Sequence, residues 1–424
     1  MRLAAYRYEP LVRGAGAFAP RARAAASTAV AVGSVIGFYA VITALRMHQH
    51  DALWFVHVGR EFLFTGHSST VIRPSLGWQS DVGYDGQYYF ALAADPRHAH
   101  DYMGGSAGYV YSRALYPAVA RTVSLGSMDA LPYAMLILNL LAAVVATLAV
   151  ALWLRRRGAP AWPAAVFGLY PGLVFTVLRD LTEPLAFALV ALAVLAWDER
   201  HSGRLVTSAT LFALAALTRE TVLPFAAASA AALGVADARR TGRRFAWRTW
   251  QRGALFAAGT VAPLLVWRVI VAGYVHEPTQ ETGGSGWAVP FHGLASYWPW
   301  DPQHRLLVLT VVLPALAAAA GALVILRREP VPAVLLVANV LLFVVFLPSS
   351  VYVDYAAAAR ASVGVVLAAL YCLPAWWRLG GPGLRPAAAV SRALVLAVAY
   401  AWSLAWYLPA ARHYGLSGLE LITT

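Results

Sequence analysis

Three carboxylates stand in contexts where they could do chemistry: Asp85 in GYDGQYYFALAADP, Glu183 in RDLTEP and Glu220 in LTRETVLP. Gly83 and Gly86 let backbone approach Asp85 closely, and Tyr84, Tyr88 and Tyr89 surround it with amphipathic rings. A partly desolvated carboxylate keeps a useful proton affinity, which a general base needs. The same residue would also serve as a plain helix N-cap. Glu183 and Glu220 each have an Arg nearby, Arg179 (with Asp180 after it) and Arg219. Charge pairs beside apolar runs suit an internal salt-bridge lattice or a phosphate site, and the two can coexist. Capping competes here as well. Asp180-Leu-Thr-Glu183 has the layout of a capping box with Pro184 in the first turn, and Thr218 could cap the next helix with Glu220 favoured by its dipole. Asp51, just after the first apolar run, is the rival general base. Arg360 in VDYAAAARAS is either an interfacial anchor or a phosphate partner. His98, His100, His276, His292 and His304 lack metal-ligand spacing, and no phosphate-cradling loop, GxSxG elbow or zinc motif is present.

These residues must be positioned by membrane helices. The chain is 60% hydrophobic and only 12% charged, about half the charged share of soluble domains. Its mean hydropathy is +0.61. Apolar runs close to the roughly 20 residues that span a bilayer recur along it. We read an all-α polytopic membrane protein, one transmembrane domain over 1–424. About eleven spans are expected, near 27–45, 131–154, 161–178, 182–197, 204–217, 221–236, 253–272, 305–326, 332–349, 356–376 and 388–408. The first is a retained helix rather than a cleaved signal, because its basic lead is long and its apolar core nearly spans a bilayer.

The net charge of +13 would suggest nucleic acid in a soluble protein, but loops on the cytoplasmic side of membrane proteins collect basic residues. All 33 basic residues are Arg, a compositional bias rather than a binding signature. With the N-terminus cytoplasmic, 21 of the 33 fall inside and the short outer loops stay poor in Arg. The lone Cys372 excludes an intramolecular disulfide.

On that threading, Asp85, Arg179, Asp180, Glu183, Arg219 and Glu220 share the outer face. Two outer loops are long, 46–130 and 273–304. In the first, Trp54, Phe55, Val58 and Phe62 recur at helical spacing opposite His57, Arg60 and Glu61, which predicts an interfacial helix starting at Asp51. A second helix is expected from Asp85, and a third over 112–125 with Leu115, Tyr116, Val119 and Val123 together. The second long loop mixes Gly, Pro, Trp and His, as a rim at headgroup level would.

DALWFVHVGREFLFTG and VGYDGQYYFALAADP, followed by RDLTEP and LTRE in that order, resemble the glycosyltransferase C superfamily, in particular bacterial mannosyltransferase-like members. The resemblance covers roughly residues 27–225. It implies an integral membrane enzyme using a polyprenyl-phosphate-linked sugar, with an Asp of the first outer loop as base and inversion at the anomeric carbon. By motif match Asp85 takes that role, with Asp51 as rival; the paired acidic motif of many members is absent, since Ala52 follows Asp51. Arg179, Arg219 and Arg360 would bind the donor phosphate. Glu183 and Glu220 would orient them or touch sugar hydroxyls, and Tyr84, Gln87, Tyr88, Tyr89 and Asp180 would complete the substrate site. Some members use a divalent cation, which the acidic residues could hold.

The function expected is transfer of a sugar to an extracytoplasmic glycan, lipid or protein acceptor, in the cell membrane, with membrane lipid and no nucleic acid as partner. A transporter or flippase of a lipid-linked sugar is the rival. It should show related halves and interrupted helices, and neither is evident in the sequence. A non-catalytic subunit of an envelope glycan assembly complex is the third reading.

Overall fold

The computed structural model describes residues 18–65, 70–242, 247–277, 279 and 289–378, and all its regular elements are helical. The long helix α1 (Phe18–Gln49) leads into a loop carrying α2 (Leu53–Val56), α3 (Arg60–Thr65), α4 (Gly86–Ala94), α5 (Ala107–Tyr111) and α6 (Leu115–Val123). Next come α7 (Leu131–Arg156), α8 (Ala165–Gly168), α9 (Pro171–Val177), α10 (Glu183–Ala196), α11 (Ser202–Thr218), α12 (Leu223–Thr241) and α13 (Trp247–Val275). The last group is α14 (His292–Ala295), α15 (Pro302–Leu307), α16 (Leu313–Ile325), α17 (Pro330–Leu341), α18 (Tyr355–Ala361) and α19 (Val363–Arg378).

Among the described residues, five stretches are long and apolar enough to cross a membrane: Ala25–Gln49, Leu131–Arg156, Glu220–Thr241, Trp247–Val275 and Pro302–Ile325. The pair α18 and α19, bent by 47°, would make a sixth. Apolar side chains such as Val41 and Leu45 on α1 and Leu255 and Val269 on α13 lie exposed along these stretches, the pattern of a surface meant for lipid. The described residues thus form an all-helical protein with five or six candidate membrane spans.

Several expected spans differ. Glu183–Ala196, Ser202–Thr218 and Pro330–Phe346 are apolar but shorter. The 14 residues of α10 reach about 21 Å, against a hydrocarbon thickness of roughly 30 Å. The segment 161–178 is not one helix. Tyr170 is extended (φ −62°, ψ 128°), as the residue before Pro171 prefers, so α8 and α9 are separate. The bend at Ser362 is an interrupted helix that the apolar pattern did not reveal. The expected span 388–408, and residues 278 and 280–288 of the 273–304 loop, lie outside the described residues.

The first loop also departs from expectation. One helix from Asp51 through Phe62 is instead α2 and α3, parted at His57 (φ 56°). Backbone pairing with residues 79–84 explains the break. Tyr84 N–H donates to His57 C=O at 3.0 Å, Gln79 N–H to Val58 C=O at 2.8 Å, and Arg60 N–H to Ser80 C=O at 2.8 Å. Gln87 fastens this turn, accepting from Gly59 N–H at 2.8 Å and donating to Val82 C=O at 3.1 Å. The expected helices at Asp85 and within 112–125 are α4 and α6.

Helix ends sort the charges. At the C-terminal end of α7, Glu329 joins Arg157 (3.3 Å) and Arg378 (2.7 Å), while Arg240 meets Glu199 (3.1 Å) and Arg252 meets Asp237 (2.9 Å). These pairs are largely exposed and contribute little, about 0–1 kcal/mol each. The other end carries the first loop and a buried set of charges. Close helix contact positions one of them: a Cβ on Gly172 of α9 would stand 2.1 Å from the Ala359 carbonyl oxygen of α18, next to Arg360. Gly172→Ala should therefore cost about 1–3 kcal/mol through forced separation of α9 and α18. A lowered thermal-unfolding midpoint of the purified variant in detergent would report it, whereas an unchanged midpoint would refute the tight contact.

Candidate functional site

Asp85 opens α4, yet its side chain caps nothing. It reaches across to Arg360 instead, Oδ2 to Nη1 at 2.8 Å. Helix α18 delivers Arg360. Its start is capped by Asp354, which accepts from Ala357 N–H at 2.7 Å, and its end is tied by Ser362 to the Tyr170 hydroxyl at 2.7 Å. Arg360 Nε donates to Glu183, and Nη1 approaches the Tyr84 hydroxyl at 3.4 Å. Glu183, 1% exposed at the start of α10, shares the same Oε1 with Arg219 at 2.9 Å. Asp85, Arg360, Glu183 and Arg219 thus form one chain of charges.

Beside it lies a second pair. Arg113 is 1% exposed and grips Glu220 with two donors, Nη2 at 2.5 Å and Nε at 3.0 Å, the forked geometry that gives guanidinium–carboxylate pairs their strength. It also donates to the hydroxyls of Tyr89 (3.1 Å) and Tyr109. Three guanidinium groups and three carboxylates therefore cancel. Desolvation would raise the Asp85 carboxyl, but Arg360, aided by Arg113 and Arg219, outweighs it and holds Asp85 below the usual carboxylate range. Its side chain remains 43% exposed, so a substrate hydroxyl can reach it.

A cavity of about 190 Å³ opens on this network. Its polar wall contains Arg113, Arg219, Glu220 and Arg360; its apolar wall contains Phe187, Leu223, Leu342, Phe343, Phe346 and Val351. Arg268 of α13 also lines it, and its buried Nε has no hydrogen-bond partner among the described residues. The neighbouring Trp267 fixes α13 against the first loop by donating to Tyr111 C=O at 2.8 Å. Once the paired charges cancel, Arg268 leaves the cavity with net positive charge. An anion with an apolar attachment is what such walls can receive.

The structure separates the other sequence candidates. Asp51 is exposed, accepts from Leu53 N–H at 3.1 Å, and stands apart from the network. Gln87 is a buried loop fastener, Tyr88 packs its ring edge-on to Phe62, and Tyr89 holds Arg113. Asp180 is fully buried with φ 47°, and Asn139, bonded to Tyr116 at 2.8 Å, donates to it at 3.4 Å. Burial pushes its carboxyl well above the ordinary range, so it is a structural acid away from the cavity. No capping box forms at Asp180–Glu183, because Asp180 turns inward to Asn139. Thr218 likewise ends α11, donating to Leu214 C=O at 2.9 Å, rather than starting the next helix. Nor does Arg219 pair with its neighbour Glu220; the extended backbone at Arg219 (φ −163°) sends the two to different partners.

Arg179 joins no ion pair among the described residues and lies over the Trp54 ring at 5.2 Å. Burial, with the charge of Arg179, pushes the His57 imidazole down to about 4, so it is neutral near pH 7. Sequence reasoning missed Arg113 and Arg268. For Arg268 a signal existed: a lone charge inside the apolar run VWRVIV is a functional-site candidate by default. For Arg113 there was none, since its partner lies 107 residues away.

Among the described residues, no three His, Cys, Asp or Glu side chains gather as metal ligands. The site's carboxylates are held by guanidinium groups, so this donor set does not fit a divalent cation. No family model, curated protein or solved structure matches the chain.

Proposed function

We propose that this chain is a membrane glycosyltransferase that moves a hexose or pentose from a polyprenyl-phosphate donor to an extracytoplasmic glycan, lipid or protein acceptor. The observation that carries the reading is the cavity with one apolar wall, one charged wall and an Arg268 that has no ion-pair partner among the described residues. A lipid-linked sugar phosphate has the matching parts: an apolar tail, an anionic centre and hydroxyls.

Connectivity of the described helices supports the first ten spans of the expected threading, with the site outside the cell membrane and the N-terminus in the cytoplasm. Helix α7 ends among the Arg-rich ion pairs and α10 starts at the opposite end with Glu183, so the broken segment between them must traverse the bundle. By the same logic α10, α11 and α17 each run between the two ends. The basic end is then the cytoplasmic one.

In the mechanism, the donor phosphate takes up the free capacity of Arg268 and draws on Arg360. Losing part of its partner, Asp85 regains proton affinity and accepts the proton of the acceptor hydroxyl. The acceptor oxygen bonds to the anomeric carbon from the face opposite the phosphate. The carbon–oxygen bond to phosphate breaks, its electron pair leaves on the polyprenyl phosphate, and the configuration inverts. Arg219, Arg268 and Arg360 stabilise the charge that develops on the leaving group.

Arg268→Gln tests this reading. The variant should bind the donor about tenfold more weakly, seen as a raised donor KM with radiolabelled polyprenyl-phosphate mannose, glucose or arabinose. An unchanged KM would remove Arg268 from donor binding. The flippase reading draws on the 47° bend at Ser362, since transporters use interrupted helices. Movement of the intact lipid-linked sugar without transfer would favour it.

A further inference from the structure

Arg179 lies outside the charge cancellation of the donor cavity. Its guanidinium has no hydrogen bond or ion pair among the described residues, and its Nη1 is buried. What surrounds it is cationic or aromatic. Arg46, 4% exposed, places its guanidinium carbon 5.0 Å from the centroid of the same Trp54 ring that Arg179 covers at 5.2 Å. His57, three residues beyond Trp54, has a buried Nδ1 without a partner, and the charge of Arg179 acts on it.

The nearby carboxylates are committed elsewhere: Asp85 to Arg360, Asp180 to Asn139, and Asp51 to the Leu53 N–H. A guanidinium with a buried Nη1 and no counter-charge among the described residues is costly to hold there, and the cation–π contact returns only part of that cost. The Arg179 guanidinium offers several donors at once, and the Arg46 guanidinium over the same ring adds positive charge, the chemistry that recognises phosphate oxygens.

Their position adds meaning. A Cβ on Gly86 would stand 2.3 Å from the Arg179 carbonyl oxygen and 2.8 Å from that of Val56, so Arg179 and the His57 turn pack directly behind the Asp85–Gly86 step. Arg360 approaches Asp85 from the cavity; Arg179 does not line that cavity. We infer that Arg179, with Arg46 over the same Trp54 ring and His57 nearby, binds a phosphate ester carried by the acceptor, at a site separate from the donor cavity. The acceptor role rests on the transferase reading; the anion site itself does not.

The test uses the full chain in phosphatidylcholine nanodiscs. Glycerol 3-phosphate, titrated calorimetrically, probes a soluble phosphate ester; phosphatidic acid, counted by native mass spectrometry, probes a membrane-borne one. Arg179→Gln should weaken whichever ester binds by about tenfold, Arg179→Lys should weaken it less, and Arg268→Gln should leave it unchanged. Binding of glycerol 3-phosphate would identify a soluble acceptor; binding of phosphatidic acid alone, a lipid-linked one. If Arg179→Gln does not fold, Arg46→Gln reports on the same site. Wild-type affinity in these variants, or no ester bound by wild type in either form, overturns the inference. Arg179-dependent binding without sugar transfer from any donor would sink the transferase reading and leave this anion site standing.

Discussion

Asp85→Asn should lower sugar transfer by about 10²–10⁴-fold, the usual loss when a positioned general base is removed. Asparagine keeps the shape and can still accept from Arg360, but it cannot take the acceptor proton. Stability should change little. The Asp85 side chain is 43% exposed, so its ion pair is worth about 0–1 kcal/mol, and Arg360 keeps Glu183 as a partner. The assay compares purified wild type and variant with the three radiolabelled donors, with gel filtration as the folding check. A wild-type rate would remove Asp85 from the mechanism.

The pH profile gives a second arm. Asp85 sits below the ordinary carboxylate range, so it is ionised throughout the neutral region and is protonated only as pH falls through that lowered value. Binding of donor to the free enzyme should therefore show no loss attributable to Asp85 between pH 5 and pH 8, a window roughly above the carboxylate range. A steep loss within that window which vanishes in Asp85→Asn would contradict the pairing with Arg360.

Glu183→Gln should produce the largest loss of stability. Glu183 is 1% exposed and its single Oε1 faces both Arg219 and Arg360, themselves nearly buried. Removing its charge leaves two guanidinium groups in a low-dielectric site with one carboxylate, Asp85, between them. Breaking a buried ion pair from one side costs about 3–5 kcal/mol. The readout is the thermal-unfolding midpoint in detergent. Because the cost arises from stranded positive charge, Glu183→Gln with Arg219→Gln should be less destabilised than the two single changes added together. Simple additivity would mean that Glu183 and Arg219 act independently, against the 2.9 Å contact.

The apolar pattern gave the helices and their approximate limits, since burial of backbone groups in lipid leaves helix as the solution for a chain of this kind. It also led to the expectation that Asp85, Glu183, Arg219 and Glu220 share one face, and the structure joins them with Arg360 in neighbouring ion pairs. Periodicity failed where a local break wins over it. At His57 the backbone pairs with residues 79–84, and at Tyr170 the following proline disfavours helical ψ.

Partnership was the part that sequence could not give. Neighbours in the chain, Arg219 and Glu220, point to different partners, and Asp180 and Glu183 go to opposite fates, one a buried structural acid and the other a hub for two guanidinium groups. Residue type and order therefore determined a helical bundle with charge gathered at one end. Which charges cancel, and that Arg268 and Arg179 find no counter-charge among the described residues, was decided by tertiary packing, because electrostatic pairing falls off over a few ångströms while these partners lie tens to hundreds of residues apart.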